Sequence, residues 1–207
     1  MKILIVGSGG REHAIAAAVA RSPKAEKIYC APGNAGIARI AECVPIKVDE
    51  FERIRDFAKE KEVDLVIVAP DDPLVMGMVD ALQAEGFHTF GPKKNAAILE
   101  GSKVFSKDLM QKYHIPTAEY HVFHTPADAQ AFLKEANTYP TVIKADGLAL
   151  GKGVVIAQNE EEAFAAISSI MEDKIFGESG SQIVIEEFLT GPEVSVLSFT
   201  DGKTVVP

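Results

Sequence analysis

Short loops that carry the residue types used to hold anions recur along the 207-residue chain. They are Gly7-Ser8-Gly9-Gly10-Arg11, Ala31-Pro32-Gly33-Asn34-Ala35-Gly36, Pro70-Asp71-Asp72-Pro73 and Gly91-Pro92-Lys93. Glycine lets backbone N–H groups approach a ligand, and a helix N-terminus behind such a loop favours negative charge. Any single loop is also what turn punctuation would leave. A further stretch, Ala145-Asp146-Gly147-Leu148-Ala149-Leu150-Gly151-Lys152-Gly153, sets glycines and Lys152 between two strand-like runs. It is not a Walker A loop, because Gly153 stands where Ser or Thr would meet magnesium. Such a loop can still fold over phosphates, with a loose hairpin turn as the competing reading. Lys144 ends the apolar run Thr141–Lys144, a costly place for a cation unless an anion arrives. Downstream, Ile183–Leu189 runs into Gly191-Pro192-Glu193. A strand edge there offers backbone groups to an adenine, and a carboxylate can take ribose hydroxyls.

The elements that must position these loops follow from hydrophobic pattern. Lys2–Val6 is a continuous apolar run of the kind buried on both faces of a parallel sheet. Glu12–Arg21 reads as a helix with Ala14, Ile15, Ala18 and Val19 on one face, and Lys27–Cys30 as a second strand. Val44–Val48 (strand), Glu50–Glu62 (helix), Asp64–Ala69 (strand), Leu74–Glu85 (helix) and His88–Phe90 (strand) continue the alternation. Strands alternating with crossover helices make a doubly wound parallel sheet, whose strand-to-helix turns share the carboxyl edge where such folds bind ligands. That common edge is what favours a site over punctuation. Ser102–Tyr113 then reads as a helix capped by Ser102 with Phe105, Leu109 and Tyr113 as its stripe. Strands at Tyr120–Phe123, Thr141–Ala145, Val154–Ala157 and Gln182–Glu186, with helices at Pro126–Glu135 and Asn159–Met171, form a separate, small α+β lobe.

Composition narrows the ligand. Acidic residues outnumber basic ones 30 to 21, a formal charge of -9, which argues against a nucleic-acid surface. Gly7–Glu12 starts like a dinucleotide fingerprint, but Glu12 occupies the third glycine position and Cys30-Ala31 ends the second strand without a carboxylate. A nicotinamide cofactor is therefore disfavoured, and a small phosphate on the Gly7–Gly10 backbone beside Arg11 suits the residues better. The two cysteines, Cys30 and Cys43, lack metal-ligand spacing and read as reduced thiols of a cytoplasmic protein. No apolar run is long enough for a membrane span. The histidines, His13 beside Arg11 included, form no ligand constellation.

In order, GSGGREHA, APGNAG, GPKKNAAILEGSK, IPTAEY, VIKADGLALGKGV and IVIEEFLTGPEVS resemble the phosphoribosylamine–glycine ligase (glycinamide ribonucleotide synthetase) family of ATP-grasp enzymes, across essentially the whole chain. The resemblance implies a reaction of purine biosynthesis. ATP phosphorylates glycine, and the amine of 5-phosphoribosylamine attacks the glycyl phosphate, releasing ADP and phosphate. It further implies that Lys103 and Lys144 contact ATP phosphates under the Gly147, Gly151, Lys152 and Gly153 loop. Glu186 and Leu189 would meet adenine through backbone groups, with Glu193 on the ribose. Gly7, Gly9, Gly10, Arg11, Asn34, Pro70 and Asp71 would form the phosphoribosylamine side. Its domains would be a substrate domain at 1–101, a connecting helix and hinge at 102–119, a nucleotide lobe at 120–190 and the start of an ATP-grasp core at 191–207.

This sequence departs from the family in two places. Asp71 stands where the family usually has Glu, and Val194–Pro207 reads as only the first strand and turn of the core. The Mg2+ ligands the family implies would fall beyond Pro207, so no metal ligand or catalytic residue is assigned, and the 207 residues alone are expected to be inactive. The open alternatives are another ATP-grasp carboxylate–amine ligase or a non-catalytic nucleotide-binding remnant. The oligomer, monomer or dimer, is not legible.

Overall fold

The computed structural model describes residues 1–149 and 153–207. The first part alternates β1 (Lys2–Gly7), α1 (Gly10–Val19), β2 (Lys27–Pro32), β3 (Glu42–Cys43), α2 (Phe51–Glu60) and β4 (Leu65–Val68). It continues through α3 (Asp71–Met76), α4 (Met78–Ala84), β5 (Thr89–Phe90), α5 (Lys94–Gly101) and α6 (Lys103–Lys112). The strands form one parallel sheet in the order β3-β2-β1-β4-β5. The continuous apolar strand sequences fit because both faces are covered. Leu4, Val6, Tyr29, Ala31, Val66 and Val68 pack with Ile54, Ala58, Met78 and Leu82 on one face. Ile3, Ile5, Ile28, Cys30 and Ile67 pack with Ala16, Ile15 and Val19 on the other.

After it come β6 (Tyr120–Phe123), α7 (Pro126–Ala136), β7 (Thr141–Ala145), β8 (Val154–Ala157), α8 (Glu160–Ile167) and β9 (Ile183–Glu187). The order β6-β9-β7-β8 is antiparallel throughout. Ile143, Ala145, Ile183 and Ile185 meet Leu133, Ala163, Ile167 and Ile170 on one face of this sheet. By alternation, Val142, Lys144, Val184 and Glu186 occupy the other face. A short hairpin, β10 (Phe199–Thr200) and β11 (Val205–Val206), follows. The fold is α/β, with a doubly wound parallel sheet and a separate antiparallel one.

Several elements differ from the sequence reading for local reasons. Only Glu42–Cys43 pairs with β2, because Pro45 has no N–H to continue a ladder through Val44–Val48. The helix expected over Leu74–Glu85 begins at Asp71 and breaks at Gly77, whose φ of +98° lies in the left-handed region. In α1, Glu12 and Ala16 are buried while Ala14 and Ala18 are exposed. Helix α5 was not anticipated; its first N–H, at Lys94, is capped by the Asp80 carboxylate at 2.8 Å, a partner in another helix. The expected α6 stripe is not buried, since Phe105 and Tyr113 are exposed and the buried residue is Lys107. After Ile167 the chain widens into a π-turn, Ser168–Glu172, ending α8 earlier than Met171. No strand forms at Val194–Val196; the strands of this segment are β10 and β11.

Cys30 and Cys43 stand opposite one another on β2 and β3 as free thiols. Burial, with Cys43 and Glu12 adding, pushes the Cys30 thiol up to about 12. Because the thiolate is the nucleophile, iodoacetamide at neutral pH is expected to label half-buried Cys43 alone in the native protein and both cysteines after denaturation. Equal native labelling, read by peptide mass, would contradict this burial.

Candidate active site

The rim of the parallel sheet faces the second part of the chain across a cleft of about 430 Å³. One wall is Gly9, Gly10, Arg11, Glu12, Pro70, Asp71 and Asp72; the other is Glu100, Lys103, Leu148, Ala149, Gly153 and Val154. The two walls come from loops far apart in sequence.

On the rim, Gly7 has φ +131° and lies directly over the Glu12 side chain. Glu12 is 5% exposed, and its Oε2 accepts the Gly9 N–H at 2.5 Å. A phosphate therefore does not have the Gly9 N–H, contrary to the expectation of a cradle built from all of Gly7–Gly10. What remains is the first turn of α1, whose N–H groups have no intrahelical partner. Arg11 donates to Ala69 O at 2.8 Å and to Asp71 Oδ1 at 3.2 Å. Both side chains of that ion pair are largely exposed, so the pair is weak and can be exchanged for a ligand. Asn34 is not among the residues lining the cleft. Its Nδ2 donates to Ser8 O at 2.7 Å, and its Oδ1 accepts from the Gly36 and Ile37 N–H groups. It ties the second loop to the first.

On the other wall, α6 starts where the Ser102 side chain accepts the Phe105 N–H at 3.0 Å. Asp146 joins this helix start to the glycine-rich loop. Its carboxylate accepts from Val104 N at 2.7 Å, Ser102 Oγ at 3.1 Å and Gln182 Nε2 at 2.7 Å. Lys103 Nζ donates to Gly147 O at 3.0 Å, beside the cleft. Gly147 itself packs on Ser179. Behind Lys103, the sheet face carries Lys144 and Glu186, with Nζ and Oε2 2.9 Å apart. Lys107 reaches the same oxygen at 2.9 Å. Lys144 thus has an internal anion, a correction to the expectation of a cation waiting for one. Beside it, Val142, Val154 and Ile156 share the face through the β7–β8 register, the latter two 44% and 47% exposed. The result is a flat apolar floor bordered by cations.

Burial pushes the Lys103 ammonium below its ordinary 10.5, and neighbouring Lys144 adds to this while Asp146 and Glu100 oppose it. A bound polyanion restores what burial removes. Affinity for tripolyphosphate is therefore expected to fall as pH rises through the lowered Lys103 pKa, with protons taken up on binding. Calorimetry in two buffers of different ionisation enthalpy checks this; identical heats would contradict it.

Of the residues singled out in the sequence, Gly9, Gly10, Arg11, Pro70, Asp71, Lys103 and Gly153 share the cleft. Lys144 and Glu186 lie on the adjoining sheet face, and Gly7 and Gly147 lie behind the lining. Leu189 and Glu193 are exposed past the end of β9, outside the cleft lining. Gly151 and Lys152 lie outside the described residues. Glu100 and Lys107 were not named in advance, and Glu12 and Asp146 were given no role in the site. The spacing of Lys107 four residues after Lys103 was the available signal, since it puts both on one face of α6.

Residues 1–100 match the phosphoribosylglycinamide synthetase N domain, and residues 101–207 match the ATP-grasp (A) domain of the same synthetase. A phosphoribosylamine–glycine ligase of Caldanaerobacter subterraneus subsp. tengcongensis is 50% identical over 206 residues, covering 100% of this chain and 49% of the relative. That of Pseudomonas putida is 52% identical over 209 residues, covering 100% and 48%. The crystal structure of the Thermotoga maritima phosphoribosylamine–glycine ligase superposes with a TM-score of 0.79 at 33% identity, covering 100% of this chain and 48% of that one. The chain spans about half the length of the curated relatives it matches. Through both of its parts, it belongs to the phosphoribosylglycinamide synthetase family.

Proposed function

We propose that the protein carrying this chain joins glycine to 5-phosphoribosylamine in purine biosynthesis, using ATP and passing through glycyl phosphate. The observation that supports this reading is the cleft of about 430 Å³ itself, which sets the start of α1 and Arg11 against Lys103 and the glycine-rich loop. The adenine would lie on Val142, Val154 and Ile156, meeting backbone groups at Glu186 and Leu189, with Glu193 toward the ribose. Glu186 Oε1, buried and without a partner among the described residues, would accept from the adenine amino group. Lys144 and Lys103 would neutralise the phosphates, and the loop containing Gly147, Gly151, Lys152 and Gly153 would close over them.

The phosphate of phosphoribosylamine would take the first turn of α1 and Arg11, released from Asp71. Gly7 and Gly9 shape that turn through Glu12, and Asn34 and Pro70 hold the neighbouring loops. A glycine carboxylate oxygen attacks the γ-phosphorus, and ADP leaves. The amine nitrogen then attacks the acyl carbon, gives up a proton, and phosphate departs with the bridging oxygen. Positioning and charge neutralisation supply the rate, and water must be kept from the acyl phosphate. Asp71 and Asp72 line the cleft on the rim, and Glu100 lines the opposite wall beside Lys103. The resemblance also brings Mg2+. Among the described residues no group of three His, Cys, Asp or Glu side chains could hold a metal, so the ion is assigned no ligand here and no step is routed through it.

The test is ADP release by the gene product carrying this chain. Release is expected only with glycine and phosphoribosylamine together, and none is expected from the 207 residues alone. ADP formed with a different carboxylate or amine, but not with this pair, would overturn the reading.

A further inference from the structure

Lys107 is a buried cation that the scheme above leaves without a task. It is 8% exposed. Its ammonium donates to Thr117 Oγ1 at 2.8 Å and Ala118 O at 3.3 Å and reaches Glu186 Oε2 at 2.9 Å. An ammonium has three protons to give, and all three are used. The group also stands 5.5 Å from the centre of the Tyr120 ring, on the strand paired with β9. Glu186 is gripped on one oxygen only, because Lys144 reaches the same Oε2. The other oxygen, Oε1, is buried and has no partner among the described residues. Buried carboxylate oxygens without donors are rare, because nothing offsets their lost hydration.

We propose that Lys107 is a positioning residue for base recognition: by pinning Oε2 it keeps Oε1 turned toward the apolar floor, where it accepts from a 6-aminopurine. The proposal rests on the reading that this sheet face takes the nucleotide. Lys144 cannot perform the task alone. It is the more exposed of the two lysines and is also the one a phosphate would draw away. Lys107 is anchored from behind by Thr117 and Ala118, so its grip survives that exchange. A 6-oxopurine would bring an acceptor against Oε1 and be rejected, whereas a 6-aminopurine completes it.

The measurement is the preference for ATP over inosine triphosphate, as the ratio of their kcat/KM values in the gene product carrying this chain. The unaltered protein is expected to prefer ATP. Lys107→Met, which keeps the stem and removes the charge, should cut the preference about tenfold while both nucleotides still react. Thr117→Val, which leaves the ammonium in place but removes an anchor, should cut it less. Glu186→Gln can turn either an oxygen or an amide nitrogen to the base and should lose the preference by itself; adding Lys107→Met should then change the ratio no further. A merely structural lysine would lower activity with both nucleotides alike. An unaltered protein with no preference would overturn the base reading of this face. A clear preference that Lys107→Met retains would overturn the role of Lys107 alone. If Lys107→Met does not fold, Thr117→Val decides, and an unchanged ratio there overturns the proposal.

Discussion

Gly7→Ala is expected to destabilise the protein by about 3–5 kcal/mol, a large part of the total for a domain of this kind. The backbone at Gly7 has φ +131°, where an L side chain is strained. The added methyl would also overlap the Glu12 side chain, coming within 2.6 Å of its Cδ. Glu12 cannot simply move aside. It is buried and holds the Gly9 N–H at 2.5 Å, so displacement leaves a buried carboxylate unpaired, about 1–3 kcal/mol, on top of the backbone strain. Chemical denaturation checks the magnitude. The pair Gly7→Ala and Glu12→Ala checks the cause, since the glycine substitution should cost less once Glu12 is gone. A loss under about 1 kcal/mol for Gly7→Ala would show that the loop accommodates a side chain, contrary to this packing.

Lys144→Ala is expected to weaken ATP binding roughly thirty- to a hundredfold, the value of a charge-assisted contact to phosphate, while leaving the fold nearly intact. Two features separate binding from folding here. Glu186 keeps Lys107 as a partner at 2.9 Å, so the buried carboxylate is not stranded. The strand also keeps Val142, Ile143 and Ala145 in their places. Titration calorimetry gives the affinity and thermal unfolding gives the stability. Unchanged ATP affinity would remove Lys144 from the nucleotide site. Global unfolding would instead make it a structural ion-pair partner.

β1 was legible because five consecutive apolar or aliphatic-stemmed residues before a glycine have few homes other than a strand covered on both faces. The convergence of Gly9–Arg11 with Pro70-Asp71 follows from parallel topology, which sends both turns to one edge. What escaped depends on partners remote in sequence. Helix α5 is capped by Asp80, and local pattern does not reveal a cap supplied from another helix. Glu12 is the exception: it was read only as a missing glycine, although its place three residues after Gly9 is the local spacing of a capping-box glutamate. Lys144 looked unpaired because its partner lies 42 residues away on a strand two-residue alternation alone could not register. Lys107 was not singled out, because the stripe of Phe105, Leu109 and Tyr113 drew the covered face to the other side of α6. The structure reverses the two faces, and an amphipathic pattern does not say which side will be covered.

The proposed reaction turns on one chemical event, the transfer of the γ-phosphoryl group to the glycine carboxylate in the cleft between the rim and Lys103. The most direct measurement uses glycine labelled with oxygen-18 in its carboxylate, with ATP and phosphoribosylamine, and mass analysis of the inorganic phosphate released by the gene product carrying this chain. One labelled oxygen per phosphate is the expected result, since the bridging oxygen leaves with phosphorus when the amine attacks carbon. Phosphate free of label, with product still formed, would mean that the carboxylate is never phosphorylated and would contradict the mechanism proposed for this cleft.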